Sequence, residues 1–225
     1  MRRALHHLRA GSRGARADPP RQSSFSPRPI GARRITMKLK YASLKYDRIS
    51  PKLDGGGRET TVRAVVETPR GSRHKFALDP NIGAFVLKQT LASGLAWPYE
   101  YGFIPQTRGA DGDPLDIIVL MDEPTFSGCV LTVRLLGYIG LRQNGIENNR
   151  FVACLLPSDE TSLSTDGYKS IKDLPDKLLK EIQDFLKEYS EERGDEIELT
   201  GCEGIRKAVS LIEAGERAFA DSGDE

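Results

Sequence analysis

The sequence has few residues of the types that hold soft metals or cross-link a chain. Its three cysteines, Cys129, Cys154 and Cys202, are far apart and form no CxxC pair. We expect them to be small buried residues in a reducing compartment, not a disulfide framework or a zinc site. Only His74 of the three histidines lies beyond the first seven residues, which argues against imidazole-based catalysis.

Long apolar runs and a strong overall charge are also missing. No apolar run approaches the roughly 18 residues of a membrane helix, so no membrane partner is expected. Residues 1–36 hold nine arginines and one acid, a net charge of +8, which leaves 24 basic and 31 acidic residues elsewhere, a net charge of −7. Residues 37–225 are therefore mildly acidic, and a nucleic-acid partner is not expected.

The composition divides the chain into three parts. Residues 1–36 are rich in Arg, Ser, Gly and Pro and are expected to be disordered. Residues 37–220 form the predicted domain, and residues 221–225 are an acidic tail. The first segment is either an organelle transit peptide or an over-extended reading frame, with Met37 as the true start. We favour the second interpretation, which makes the protein cytoplasmic.

The pattern of apolar residues predicts an α+β fold. Helices are expected near 174–190, with Asp173 as N-cap and Pro175 in the first turn, and near 204–219. Five short strands at this spacing favour a β-barrel. They are predicted at residues 61–67, 75–78, 117–121, 130–136 and 151–156.

An acidic cluster precedes the third predicted strand. Asp111, Asp113 and Asp116 lie within six residues, and three crowded carboxylates repel one another unless cations hold them. Residues i and i+2 of an extended segment point the same way, and Pro114 can bend the chain so that Asp116 returns. Oxygen ligands without His or Cys favour Mg²⁺ or Mn²⁺. A solvated Asp-Gly turn remains the alternative.

The stretch Tyr101-Gly-Phe-Ile-Pro-Gln-Thr107, followed by Asp111-Gly-Asp-Pro-Leu-Asp-Ile117, resembles the signature of family I soluble inorganic pyrophosphatases. The resemblance runs from about residue 62 to residue 219. It implies an OB-like five-stranded β-barrel with flanking C-terminal helices. It also implies Mg²⁺-dependent hydrolysis of pyrophosphate to two phosphates by a metal-activated water, in a homo-oligomer.

The resemblance assigns roles to individual residues. Asp113 matches the residue that orients and deprotonates the attacking water. The residues that match metal positions are Asp111, Asp116, Asp113, Glu67 and Asn148. Those that match phosphate-binding positions are Lys75, Tyr101, Tyr189 and Arg150.

Several positions depart from the family pattern. Gln143 and Asn148 stand where the resemblance implies metal-binding carboxylates, and an amide oxygen brings no charge to a metal. The remaining departures are Ala77 for an acid, Gln89 for an arginine, Trp97 for a tyrosine, Arg150 for a lysine and Ser190 for a lysine. Weaker binding of both metal and phosphate is therefore expected.

Three functions stay open at this point. The first, which we favour, is an inorganic pyrophosphatase of weak activity or altered metal dependence. The second is a catalytically impaired protein that binds phosphate, a nucleotide or a partner. The third is a phosphohydrolase with a different substrate. The intact Asp111, Asp113 and Asp116 favour the first, and the substituted positions favour the second.

Overall fold

A computed structural model describes residues 50–51, 60–156, 165 and 167–222 of the chain. The predictions for residues 1–36, for a domain start at residue 37 and for residues 223–225 lie outside this part. The elements are β1 (Thr61–Thr68), β2 (His74–Asp79), β3 (Ala84–Thr90), β4 (Glu100–Phe103), β5 (Asp116–Leu120), β6 (Val130–Gln143), β7 (Ile146–Glu147), β8 (Arg150–Leu155), α1 (Asp176–Arg193), β9 (Ile197–Gly204) and α2 (Ile205–Ser222).

Five strands close into a ring, which confirms the predicted barrel. Around the ring, β1 pairs with β4, β4 with β5, β5 with β8, β8 with β6, and β6 with β1. The β5–β8 pair is parallel, and the other four ring pairs are antiparallel. Strands β7 and β9 extend the sheet from β6.

The membership of the ring differs from the prediction in one strand. The strand predicted at 75–78 exists as β2, but it pairs with β3 in a separate two-stranded hairpin. The fifth ring strand is β4, which overlaps the start of the signature stretch. Strand β4 is only four residues long, contains Gly102 and lies between Pro98 and Pro105, so it lacks the alternation by which a strand is predicted.

Strand β5 of the ring is buried on both faces. In β5, Ile117 and Val119 belong to a cluster that includes α2, whereas Ile118 and Leu120 belong to a cluster packed with α1. Successive side chains of a strand point to opposite faces, so burial of both faces requires a continuous apolar run. The run at 117–121 was predicted as a buried strand on this ground, and the structure confirms it.

Both predicted helices are confirmed, with different starts. Helix α1 has Pro175 as its N-cap, so the expectation for Asp173 was wrong. Asp173 instead completes a capping box with Ser170 around a 3-10 turn at Ile171–Asp173. Helix α2 extends through Ser222 and includes the first two residues of the predicted acidic tail. Among the described residues, no helix is long and apolar enough to cross a membrane.

Gly102 allows β4 to pack closely on β1. A Cβ built at this position would lie 1.9 Å from the Val65 carbonyl oxygen, which is a backbone atom that moves only if the strands separate. We therefore expect Gly102→Ala to destabilise the fold by at least the roughly 1–3 kcal/mol of an overpacked core. Urea denaturation measures the change.

The matched control for this prediction is Gly204→Ala. A Cβ at Gly204 meets no atom within 4 Å. Equal unfolding midpoints for the two variants would contradict the close approach of β4 to β1.

Candidate active site

All nine predicted site residues line one cavity of about 1120 Å³. The substituted positions Ala77, Gln89, Gln143 and Ser190 line it as well, whereas Trp97 does not. The sequence therefore identified one place in the fold, although its residues come from β1, β2, β4, β5, β8, α1 and two loops.

The parallel pairing of β5 and β8 brings an acid and a base together. Ile117 pairs with Phe151, so the preceding residues, Asp116 and Arg150, begin the two strands side by side. The Arg150 guanidinium lies 2.8 Å from the Asp116 carboxylate, and the two side chains are 8% and 21% exposed. Burial opposes the charge on Arg150 and is the largest single effect, but Asp116 and the smaller contributions of Tyr101, Asp111 and Tyr189 together outweigh it, so the pKa of Arg150 is raised. Burial raises the pKa of the Tyr101 hydroxyl well above its usual range, and the nearby Asp116 carboxylate raises it further.

Asp111 and Asp113 lie on a turn, not on the extended segment that was expected. Gly112 has a φ of +91°, and the Asp113 N–H donates to the Asp111 carboxylate at 3.1 Å. Such a local turn is a common use of an aspartate followed by glycine. Burial raises the pKa of Asp111, and the charges of Asp116 and Asp113 raise it further. The three carboxylates are thus close enough to repel one another.

The loop that carries these aspartates is attached to α2. The Arg108 N–H donates to the Gly215 carbonyl at 3.0 Å. A Cβ at Gly215 would lie 2.9 Å from Leu115, so the absence of a side chain allows the helix to approach. Within the loop, the Gly109 N–H donates to the Asp113 carbonyl at 2.7 Å. These contacts fix the backbone on which Asp113 sits.

A β-bulge places Glu67 beside Lys75. The register of β1 on β4 shifts between Val66 and Thr68, which leaves Glu67 as the extra residue. Bulges often reorient a side chain next to an active site. Burial raises the pKa of Glu67 despite Lys75, whose ammonium lies 4.0 Å away. Burial also lowers the pKa of Lys75, and the positive charges of Arg150 and Arg193 add to that shift.

Four aromatic side chains support the cationic side of the cavity. The Trp97 ring lies 4.6 Å from Tyr101, 5.1 Å from Phe185 and 5.0 Å from Tyr189, measured between centroids. The Lys75 ammonium lies 4.0 Å from the centre of the Tyr101 ring and 5.0 Å from that of Trp97. Trp97 is 2% exposed and packs behind the cavity wall. A tryptophan in place of the family's tyrosine therefore changes what packs against Lys75 and leaves the residues that line the cavity unchanged.

Hydrogen bonds join the side-chain amides of Gln143 and Asn148 into one part of the cavity wall, the amide wall. The Gln143 amide donates to Asp195 at 2.9 Å, and the Asn148 amide donates to the Gln143 oxygen at 3.3 Å. The Asn148 side-chain oxygen in turn accepts from Arg150. The two amides that replace the expected carboxylates therefore belong to a network that runs from Asp195 to Arg150.

Comparison with known proteins decides the family. A family model described as inorganic pyrophosphatase matches residues 64–220. The chain belongs to family I of the soluble inorganic pyrophosphatases. It is 38% identical over 152 residues to the inorganic pyrophosphatase of Geobacillus stearothermophilus, which covers 68% of this chain and 90% of that protein.

Solved structures of pyrophosphatases have the same fold. The crystal structure of the inorganic pyrophosphatase from Thermus thermophilus matches with a TM-score of 0.66 and 29% identity, over 76% of this chain and 97% of that one. The inorganic pyrophosphatase from Neisseria gonorrhoeae matches with a TM-score of 0.69 and 27% identity, over 78% and 99%. The OB-like barrel implied by the resemblance is confirmed.

Pyrophosphatases of this family depend on metal ions, and the cavity offers ligands of a suitable kind. The carboxylates of Asp111, Asp113, Asp116 and Glu67 face it, and hard divalent cations prefer such oxygens. Within the described ranges, no three His, Cys, Asp or Glu side chains form a ready-made metal-binding group. The side chains thus fit a divalent ion by chemistry, with phosphate oxygens of a substrate needed to complete its coordination.

Several residues of this pyrophosphatase cavity were not predicted from the sequence. Arg193, Asn144 and Asp79 line it, and Asp195 lies directly behind Gln143. The position of Arg193 in the cavity could have been predicted, because it lies four residues after Tyr189 and so on the same helical face. The position of Asp195 could not, because its contact with Gln143 joins residues 52 positions apart.

The ion pair predicts an asymmetry among the aspartates of the pyrophosphatase. Asp116→Asn removes the carboxylate that compensates buried Arg150, whereas Asp111→Asn removes a charge that is repelled by its neighbours. In metal-free buffer with EDTA, we expect Asp116→Asn to cost about 3 kcal/mol, the lower end of the range for a broken buried pair. Urea denaturation of both variants measures this cost, and equal stability of the two would contradict it.

Proposed function

We propose that this chain hydrolyses inorganic pyrophosphate to two phosphates with the help of divalent metal ions. The observation that supports this proposal best is the single cavity lined by all nine residues with an assigned role. The names of its relatives, which are inorganic pyrophosphatases, point to the same reaction. They do not favour the alternative of a catalytically impaired binding protein or a different substrate.

The proposed substrate site lies among the basic and phenolic side chains. Lys75 and Arg150 carry positive charge into a largely buried setting, where an anion is attracted more strongly than in water. The hydroxyls of Tyr101 and Tyr189 add neutral donors on the same wall. Because Arg150 offers a planar fork of N–H groups, it can bind two oxygens of a phosphate at once.

The proposed metal ligands are Asp111, Asp116 and Glu67, with Asp113 adjacent and the Asn148 oxygen as a further ligand. We infer Mg²⁺ as the ion, with Mn²⁺ as an alternative, because the ligands are oxygens without imidazole or thiolate. When bound, such ions neutralise phosphate charge and lower the pKa of a coordinated water. The chain contributes the carboxylates, whose mutual repulsion favours a cation among them.

Asp113 is the proposed general base. Its side chain is exposed to the cavity, while its backbone is held by hydrogen bonds to Asp111 and Gly109. A base must lie within hydrogen-bond reach of the proton that it accepts, and a fixed backbone limits where the carboxylate can move. Asp113 would accept a proton from the attacking water, while Lys75 and Arg150 hold the phosphate oxygens.

The cavity positions that depart from the family pattern predict weak activity. Gln143 and Asn148 bring no negative charge, and their oxygens already accept hydrogen bonds from neighbouring side chains. Ser190 and Gln89 likewise bring no positive charge to the substrate. We infer weaker metal binding and slower turnover than an all-carboxylate cavity would give.

Homo-oligomeric assembly and a cytoplasmic location are parts of the same proposal. Assembly rests on the family resemblance alone. The location rests on the three cysteines, which form no disulfide in the described part of the chain, as is usual in a reducing compartment.

The direct test is phosphate release from pyrophosphate by purified protein in Mg²⁺. We expect Asp113→Asn to lower kcat by about 10²–10⁴-fold, the usual contribution of a general base, while divalent ions still bind. Calorimetric titration with Mn²⁺ measures the binding. Glu123→Gln, an acid-to-amide change at an exposed residue outside the cavity, is the matched control. Full turnover by Asp113→Asn would remove this residue from the chemistry.

A gain-of-function variant tests whether the neutral amides of the cavity wall weaken metal binding. Asn148→Asp keeps the shape of the side chain and the acceptor for Arg150, and it adds a charge near Asp116. It loses the 3.3 Å hydrogen bond to the Gln143 oxygen, which is a neutral acceptor. We expect it to tighten Mn²⁺ binding roughly tenfold, which corresponds to about 1.4 kcal/mol of added attraction, and to raise turnover. Gln143→Asp is less suitable, because it replaces the donor to Asp195 by a like charge. Unchanged Mn²⁺ affinity in Asn148→Asp would place the metal elsewhere.

A further inference from the structure

Arg193 is a cation on the cavity wall to which the proposed mechanism gives no role. It is the last residue of α1, and its side chain is 43% exposed. Its Nε lies 2.9 Å from the Asp195 carboxylate, and its Nη1 donates to the Tyr189 hydroxyl at 3.0 Å. The guanidinium carbon lies 5.6 Å from the centre of the Tyr189 ring. The side chain is therefore held at two points and against one ring face.

Asp195 makes this placement rigid. Its side chain is 16% exposed and also accepts hydrogen bonds from Gln143 at 2.9 Å and from Asn144 at 3.0 Å. The Asn144 N–H donates to the Glu196 carbonyl at 2.8 Å, and the Glu196 N–H donates to the Asn144 side-chain oxygen at 3.0 Å. The carboxylate thus joins the end of α1 to the turn after β6, and Arg193 is held where those two elements meet.

The guanidinium retains donors for a ligand. Arginine has five N–H groups, and the contacts with Asp195 and Tyr189 use two of them. Within the part of the chain that the structure describes, the other three have no hydrogen-bond acceptor. Arg193, Lys75 and Arg150 all line the cavity, and the first and third repel the charge on Lys75. An anion among the three cations would relieve that repulsion.

We propose that Arg193 binds a phosphate group of the substrate and that Asp195 is its positioning residue. The inference rests on the proposed function for the identity of the ligand, which is an inorganic diphosphate. Ser190, one turn earlier on the same wall, is neutral, so Arg193 is the cation that α1 supplies to the cavity. A purely structural alternative is an ion pair that closes the end of the helix, where a basic residue is favourable.

Binding of methylenediphosphonate, a diphosphate that cannot be hydrolysed, separates these alternatives. In Mg²⁺ buffer, we expect Arg193→Gln to weaken its binding by roughly 10- to 100-fold, the loss of charge-assisted hydrogen bonds. Isothermal titration calorimetry measures the affinity. In turnover, KM for pyrophosphate should rise more than kcat falls. Arg193→Lys should recover part of the affinity, because it keeps the charge.

Two further variants complete the experiment. Arg142→Gln is the matched control, because Arg142 is also paired with an acid, Glu198 at 3.5 Å, but lies outside the cavity. It should bind the diphosphonate as the wild type does. Asp195→Asn should give an intermediate loss, since Arg193 keeps its charge but loses its fixed position. If Arg193→Gln does not fold, Arg193→Lys and Asp195→Asn decide the question.

The outcomes distinguish this inference from the proposed function. If Arg193→Gln binds the diphosphonate with an affinity within twofold of wild type, the inference is overturned and the proposal of pyrophosphate hydrolysis still stands. If wild type releases no phosphate but binds the diphosphonate, and Arg193→Gln does not, the inference stands and the hydrolysis proposal fails. If wild type shows neither binding nor turnover, both are overturned.

Discussion

The ion pair between Arg150 and Asp116 links the construction of the barrel to the contents of its cavity. Both residues begin strands, and these strands form the parallel pair of the ring, so the pairing itself sets the 2.8 Å contact. The Asn148 side-chain oxygen then accepts a hydrogen bond from Arg150, and the guanidinium lies 6.0 Å from the centre of the Tyr101 ring. A barrel closed by antiparallel pairs alone would have separated the starts of the two strands. The electrostatics of the site therefore depend on the topology of the fold.

Burial of both residues makes the ion pair important for stability. An exposed ion pair contributes little, but a guanidinium that is 8% exposed needs a compensating charge or many hydrogen bonds. Arg150 obtains both, because it also donates to the Asn148 backbone carbonyl at 2.6 Å. The amide wall is thus part of what compensates Arg150, and the neutral residues Gln143 and Asn148 are structural components of the cavity as well as lost metal ligands.

The sequence predicted well what depends on local periodicity or on the family signature. The run at 117–121 and the helical spacing from Leu178 to Tyr189 indicated elements that the structure contains, and the family resemblance named nine residues that line the cavity. Strand β4 and the separation of the β2–β3 hairpin could not be predicted, because they follow from pairings between distant segments. The turn at Gly112 was misjudged as extended, since two aspartates separated by one residue fit either geometry.

The stacking of Lys75 on Trp97 has a consequence for how the cavity can be observed. Trp97 is the only tryptophan of the chain, and the ammonium lies 5.0 Å from its ring. Indole fluorescence responds to the field of a nearby charge, so its emission depends on where that ammonium sits. An anion that draws Lys75 away from the ring alters the field at a single chromophore. The intrinsic fluorescence of Trp97 can therefore report whether the cavity is occupied, without an attached dye.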